Sequence, residues 1–335
     1  MFVLWLSAAD AKCQATFERL GPAPEDVCAF IFGYYGNLKI DGAGSASLFK
    51  APLAGGDFVA CLVTAKHMLS NPKTHVPYDG IIAKINMPTN SHPRYVKISI
   101  KSGAASNYWV SPSGLDLAVI PLPWNAVAGT KGKTYGEDQI VTPDSAISRN
   151  LTAGLVTEMF SVQYEYLEPI DYAIPQTLPT VRLGHLSRLG YIRLPNGTTF
   201  IRQHLIDIHS SPGNSGANVM LLVPEGALGS APMFLGVVQG YNEEAVELVP
   251  YDAQITNLQN AINNLTIPTG GTNQTTMLAR SLRPPANPNV TAVTPVHELI
   301  GLKDNKEFVA ALGTMRENPQ LYQIFDTVPP ISLNR

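Results

Sequence analysis

At 335 residues the chain is long enough for one large or two modest domains, either able to bury a substantial core. Charged residues make up only 15% and the formal net charge is −3, which excludes the basic footprint of a nucleic-acid binder. A hydrophobic content of 45% with 27 Gly and 27 Pro excludes a disordered chain and suits a turn-rich globular protein.

The chain opens with an apolar run, Phe2 to Ala9, and Ala9-Asp10-Ala11 imitates a small-x-small cleavage site before Lys12. No positive residue precedes the run, and its length is near the lower limit of ~7 residues for a signal peptide. A weak secretion signal, an ordinary first helix and a disordered tail all remain open for residues 1–26. With the scarcity of charge, this segment favours a periplasmic or extracellular protein, with the cytoplasm as the alternative. No later stretch approaches the roughly 18 uninterrupted apolar residues of a membrane span, so no integral span is expected. The three cysteines, Cys13, Cys28 and Cys61, have no zinc-type spacing. Cys61 lies in an apolar run and reads as a buried thiol, whereas Cys13 and Cys28 can pair if the compartment oxidises.

From Val27 to about Pro123, short β-type runs alternate with turn residues. The predicted strands are Val27–Tyr35, Ser45–Lys50, Phe58–Thr64, Ile81–Ile85, Arg94–Ile100 and Leu117–Pro121. Turns fall at Asp41-Gly42-Ala43-Gly44, Ala54-Gly55-Gly56-Asp57 and Ser111-Pro112-Ser113-Gly114. Residues 124–150 read as a linker. A second set follows: Ala153–Tyr164, Thr180–Leu186, Phe200–Ile208, Asn218–Val223, Met233–Gln239 and Thr291–Pro295. Pro195-Asn196-Gly197 marks a hairpin, because Asn-Gly readily supplies two positive-φ turn residues. Strands at this spacing argue for all-β barrels or sandwiches rather than βαβ units, and two groups of about six fit two packed barrels, at about 27–123 and 151–302. Residues 241–290 interrupt the second group with polar, Asn/Thr/Pro-rich sequence. They are too long for a structureless connection, and predict an elaborated surface insertion carrying a helix over Ala253–Leu265. Helix is otherwise expected at Pro295–Gly301 and Lys306–Met315, the latter in a C-terminal tail over 303–335.

Three segments carry chemistry. Ser211-Pro212-Gly213-Asn214-Ser215-Gly216-Ala217 puts a Ser between glycines on a tight loop. Glycine lets the backbone turn so that successive N–H groups point outward, which makes an anion-binding concavity. A plain Pro-Gly-Asn turn with an incidental Ser is the alternative. A serine needs a base to become a nucleophile; His67, just after the run ending at Thr64, is one, although a His in an apolar neighbourhood is more often structural. The base needs an orienting carboxylate. Asp116, directly before the apolar run Leu117–Ile120, is a candidate that also reads as a strand-start turn residue.

Together these residues occur in the order His67, Asp116, Ser215, the first two in the first β group and the serine in the second. Here the chain resembles the trypsin-like serine peptidase superfamily, in its bacterial branch. Thr64-Ala65-Lys66-His67 is similar to the family's Thr-Ala-x-His motif, and Asp116-Leu117-Ala118-Val119 to its Asp-[Ile/Leu]-Ala-[Leu/Val] motif. Pro212-Gly213-Asn214-Ser215-Gly216 is similar to the nucleophile motif of Deg-type and glutamyl-endopeptidase-type members. Gly42-Ala43-Gly44-Ser45-Ala46, Leu235-Gly236-Val237-Val238 and Val293-Thr294-Pro295 are weaker echoes. The resemblance spans about Val27 to Leu302. It departs at Ala217-Asn218, where Gly-Pro is usual, at Ala46, where Gly is common, and at 241–290, which minimal members lack. Asn214 replaces the Asp of many animal-type members, so activation through an N-terminal salt bridge is not implied.

The resemblance implies a chymotrypsin-like fold of two six-stranded barrels and a serine endopeptidase acting on polypeptides. His67, Asp116 and Ser215 would be its triad, and the Gly213 and Ser215 N–H groups its oxyanion hole, with no metal or organic cofactor. It places His209, Val238 and Thr291 around the primary substrate pocket. With no carboxylate at the pocket base and a β-branched Thr291 on its wall, small or medium uncharged residues are expected before the cut. Asp207 reads as a loop organiser, and His75, His92, His185, His204 and His297 as structural or exposed. Two other classes stay open: a catalytically silent binding or scaffold module on this fold, and an acyl hydrolase on another. The missing Gly-x-Ser-x-Gly elbow and the His-Asp-Ser order count against the last. The tail is too short for an appended PDZ domain, and oligomeric state is not legible.

Overall fold

The structure is a computed structural model, and it describes residues 27–36, 39–71, 73–86, 93–100, 106–129, 134–161, 180–193, 199–210, 213–225, 229–240, 290–327, 329 and 332–333. The N-terminal segment with Cys13, the Pro195-Asn196-Gly197 turn, His92, the expected Ala253–Leu265 helix and nearly all of the 241–290 insertion lie outside these residues.

The first β group builds one antiparallel sheet. Its strands are β1 (Cys28–Tyr35), β2 (Lys39–Pro52), β3 (Phe58–Thr64), β4 (Gly80–Ile85), β5 (Arg94–Ser99), the two-residue β6 (Trp109–Val110) and β7 (Ala118–Leu122). β1 shows why it forms here. Its alternate residues Ala29 and Ile31 join the main core, while Phe30, Phe32 and Tyr34 pack with Ile40, Ile82 and Tyr95 on the other face. A strand buried on both faces reads as a continuous apolar run rather than an alternating one.

Residues 124–150 are stitched to both halves. They hold the short helices α1 (Trp124–Val127) and α2 (Pro143–Ser148). Thr142 caps α2, accepting from Ser145 N while the Ser145 hydroxyl receives the Thr142 N–H, both groups that a helix start otherwise leaves unpaired. Tyr135 O accepts from Lys50 N of β2, and Val141 N donates to Phe234 O of the second half.

The second group closes into a six-stranded antiparallel barrel. In chain order it comprises β8 (Val156–Ser161), β9 (Thr180–Arg188), the hairpin β10 (Tyr191–Arg193) and β11 (Thr199–Ile201), β12 (His204–Ile206), β13 (Asn218–Glu225), β14 (Gly229–Gly240) and β15 (Thr291–Pro295). The barrel order is β12-β15-β14-β13-β8-β9, with the hairpin as a separate pair. The run Phe200–Ile208, expected as one strand, is split because its first part pairs with β10 and its second with β9 and β15.

After β15 come a 3-10 turn at His297–Leu299 and helix α3 (Lys306–Glu317), then β16 (Tyr322–Phe325) and β17 (Ser332–Leu333). β16 extends the first sheet by pairing with β5, and β17 adds parallel to β2. The first sheet therefore has nine strands in place of the six expected, ordered β16-β5-β4-β1-β2-β3-β7-β6 with β17 beside β2. The all-β architecture of two packed sheets, one a closed six-stranded barrel, is the expected class.

Candidate active site

Strand register brings His67 to Asp116. Thr64, the last residue of β3, lies opposite Ala118, the first of β7. His67 is three residues beyond the former, on a 3-10 turn over Lys66–Leu69, and Asp116 two residues before the latter. Asp116 Oδ2 lies 2.6 Å from His67 Nδ1, and Asp116 Oδ1 accepts the His67 backbone N–H at 2.9 Å. This two-point clasp fixes both the ring and the turn that carries it. The His67 side chain is 35% exposed and that of Asp116 16%, so the ring's far edge faces solvent while the carboxylate is sheltered.

The Ser215 loop seats on the same end of the first sheet. Ser215 O accepts from Ser45 N of β2 at 2.9 Å, and Gly213 O accepts from the Ser45 hydroxyl at 3.5 Å. Thr64 Oγ1 donates to Ser45 O at 2.8 Å, so β3, β2 and the loop are joined three residues before His67. Two glycines permit this approach. Gly216 has φ +78°, and a Cβ there would lie 2.1 Å from Ser45 O. A Cβ on Gly44 would lie 2.5 Å from Met68 Cε and 2.8 Å from Ser215 O. On the other side, Gly216 N donates to Val238 O and Val238 N to Ala217 O, each at 2.8 Å. Gly240, at the end of β14, lies beside Ser215: a Cβ there would be 3.7 Å from Ser215 Oγ.

With the carbonyls of Gly213 and Ser215 turned toward β2, their N–H groups have no acceptor among the described residues. Gly213 takes φ +93°, a conformation open mainly to glycine. Among the described residues, Ser215 Oγ makes no hydrogen bond to His67. Such bonds are often long before substrate is bound. Asn214, between these residues, is fully buried with both side-chain polar atoms unpartnered.

The residues expected around the pocket have different surroundings. His209 is exposed, and its carbonyl accepts from Arg182 Nη1 at 2.6 Å. Val238 packs in the core of the second barrel. Thr291 is fully buried, its hydroxyl donating to Ile208 O at 2.5 Å. Asp207 accepts the His185 backbone N–H and lies 3.5 Å from His185 Nδ1, a bracing of the segment that leads to the Ser215 loop.

Sequence reasoning missed Asn218 as a bolt between the halves: its amide donates to Tyr135 Oη at 3.2 Å and accepts from Cys28 Sγ at 3.4 Å. The only signal was the departure from Gly-Pro after Ser215-Gly216. Among the described residues no cluster of three or more His, Cys, Asp or Glu is suited to a metal, and no helix is long and apolar enough to cross a membrane.

No protein-family model matches the chain, and no curated protein sequence does. Solved structures that it is similar to include the MamO protease domain from Magnetospirillum magneticum, at 14% identity. That match covers 70% of this chain and 97% of the other, with a TM-score of 0.38. A Glu endopeptidase matches at 14% identity over 71% of this chain and 92% of its own, TM-score 0.38. Thermobifida fusca Protease A matches at 13% identity over 81% and 91%, TM-score 0.29.

Proposed function

We propose that the chain is a serine endopeptidase with His67, Asp116 and Ser215 as its triad. The observation that carries this reading is the two-point clasp of His67 by Asp116, on the same end of the sheet that seats the Ser215 loop. A carboxylate at Nδ1 holds the proton on that nitrogen, leaving Nε2 as the base. Ser215 Oγ attacks the scissile carbonyl carbon while Nε2 takes its proton, and the carbonyl π pair becomes an oxyanion. The free N–H groups of Gly213 and Ser215 are suited to receive it, and losing one such donor typically costs about 3 kcal/mol of transition-state stabilisation. Collapse breaks the C–N bond, with Nε2 protonating the leaving amine. Water then attacks the acyl-enzyme by the same route and releases Ser215.

Thr291 supports a shallow primary pocket, because its side chain is fixed to Ile208 O rather than swinging aside. The substrate class is polypeptide cut after small or medium uncharged residues such as Ala, Val, Thr or Leu. The missing hydrogen bond from Ser215 Oγ to His67 is the observation that favours a second reading, a silent binding or scaffold module. Peptide-library hydrolysis separates the two. The peptidase reading expects turnover that Ser215→Ala abolishes, while equal rates from both proteins would refute the triad.

A further inference from the structure

We propose that His204 and His297 form an acid-sensitive latch at the end of the second barrel, whose protonation opens the β12–β15 seam behind the nucleophile loop. His204, the first residue of β12, is fully buried. Its Nδ1 accepts the Gly190 backbone N–H at 2.8 Å, which fixes the neutral tautomer with its proton on Nε2. Nε2 is itself buried with no hydrogen-bond partner, and so are His297 Nδ1 and Glu298 Oε2. Both imidazoles stand perpendicular to the Tyr191 ring, their centroids 4.8 and 5.6 Å from it.

The charges around the pair decide what acid does. β9 contributes Arg188, opposite Leu205 in the ladder. β10 contributes Tyr191, whose hydroxyl already donates to Val141 O at 3.0 Å. The turn after β15 contributes His297 and Glu298, while β15 itself presents only Thr291, Ala292 and Val293 to β12. Burial, then repulsion from His297 and Arg188, hold His204 well below the ordinary imidazole range, and burial does the same for His297 against the pull of Glu298. Both imidazoles are buried, and the one carboxylate beside them cannot offset two imidazolium charges, so the two protons are taken up together as β12 leaves the barrel.

That departure reaches the nucleophile in few steps. His204 pairs with Val293, Val293 with Val238, and Val238 exchanges hydrogen bonds with Gly216 and Ala217. The latch assumes nothing about catalysis, whereas its effect on the site rests on the reading above.

Amide-exchange protection factors measured from pH 7.5 to 4 test it in the unmodified protein, in His297→Phe and in His204→Asn. The first variant keeps a ring against Tyr191; the second keeps an acceptor for Gly190 N–H. In the unmodified protein, protection of β12 and β15 should fall below pH 6.5 before that of β2 and β3, more steeply than tenfold per pH unit, and recover on return to neutrality. Each single variant takes up one proton fewer, so its slope should not exceed tenfold. If His204→Asn does not fold, the slope in His297→Phe alone decides. Unchanged protection to pH 4, equal slopes in all the proteins, or simultaneous loss in both sheets would overturn the latch. Fluorophosphonate labelling should follow the same curve. Its absence at every pH would sink the peptidase reading and leave the latch standing.

Discussion

Asp116 binds His67 at two points, and replacing it separates what each bond does. Asp116→Asn keeps a polar partner for the His67 backbone N–H but presents an amide to Nδ1, which selects the wrong tautomer. Peptide turnover should fall by about 10⁴-fold with little change in melting temperature, since the loss lies in the chemistry rather than the packing. Equal losses of activity and stability would show a merely structural aspartate. Gly44→Ala tests the seat of the Ser215 loop. Met68 is flexible enough to yield to the new methyl, but the Ser215 carbonyl is backbone, so the loop must shift. kcat should drop at least tenfold, as sub-ångström misplacement of a nucleophile is costly; wild-type kcat would mean that the seat is not needed. At this scale His67, Asp116 and Ser215 could be singled out in the sequence because each lies in a short local motif. The contacts that position them could not. Gly44, Ser45 and Thr64 meet the Ser215 loop from about 150 residues away or more, and Asn214's buried, unpartnered amide has no local sign.

Among the elements, α3 shows how the C-terminal segment completes the first half. Phe308, Leu312 and Met315 enter the main core, and Asn305 caps the helix by accepting from Glu307 N and Phe308 N, each at 3.0 Å. Asn305→Ala should cost about 1 kcal/mol, lowering the melting temperature by roughly 1–2 °C for a chain of this size without changing turnover. Calorimetry that finds no shift would mean the cap is idle. Phe58–Thr64 and Thr291–Pro295 could be read at their observed limits because strong β-formers end abruptly at turn residues. β6, β16 and β17 could not, since two to four residues carry no usable period and their pairing is wholly long-range. α2 was missed although Thr142-Pro143 announces a helix start, because six residues lie below the length at which helical periodicity shows.

The whole molecule should lose stability in mild acid. Burial first, then repulsion from His297 and Arg188, hold His204 down to about pH 3. The folded state therefore keeps a neutral imidazole while the unfolded chain takes up a proton below its ordinary pKa of about 6.5. Stability from this group is fully present above pH 6.5 and is lost as pH falls from there toward 3, at up to about 1.4 kcal/mol per pH unit. Urea titrations at pH 7.5 and 5 should show the decline in the unmodified protein and a smaller one in His204→Asn; identical declines would remove His204 as its source. Specificity also belongs to this scale, since the proposed pocket would draw together the segment of His209, the strand of Val238 and that of Thr291. A cleavage profile dominated by Arg, Lys or Glu would contradict the shallow uncharged pocket, and a preference for Phe or Tyr would show that Thr291 does not close it.

The central claim is that Ser215 is a nucleophile activated by His67. A fluorophosphonate phosphonylates serine hydroxyls that a neighbouring base activates, so labelling followed by peptide mapping reads the claim without any knowledge of the substrate. One phosphonyl group per chain is expected on Ser215 in the unmodified protein, and essentially none in His67→Ala, which keeps the serine but lacks the base. No labelling of the unmodified protein, or equal labelling of Ser215 in both, would contradict the account.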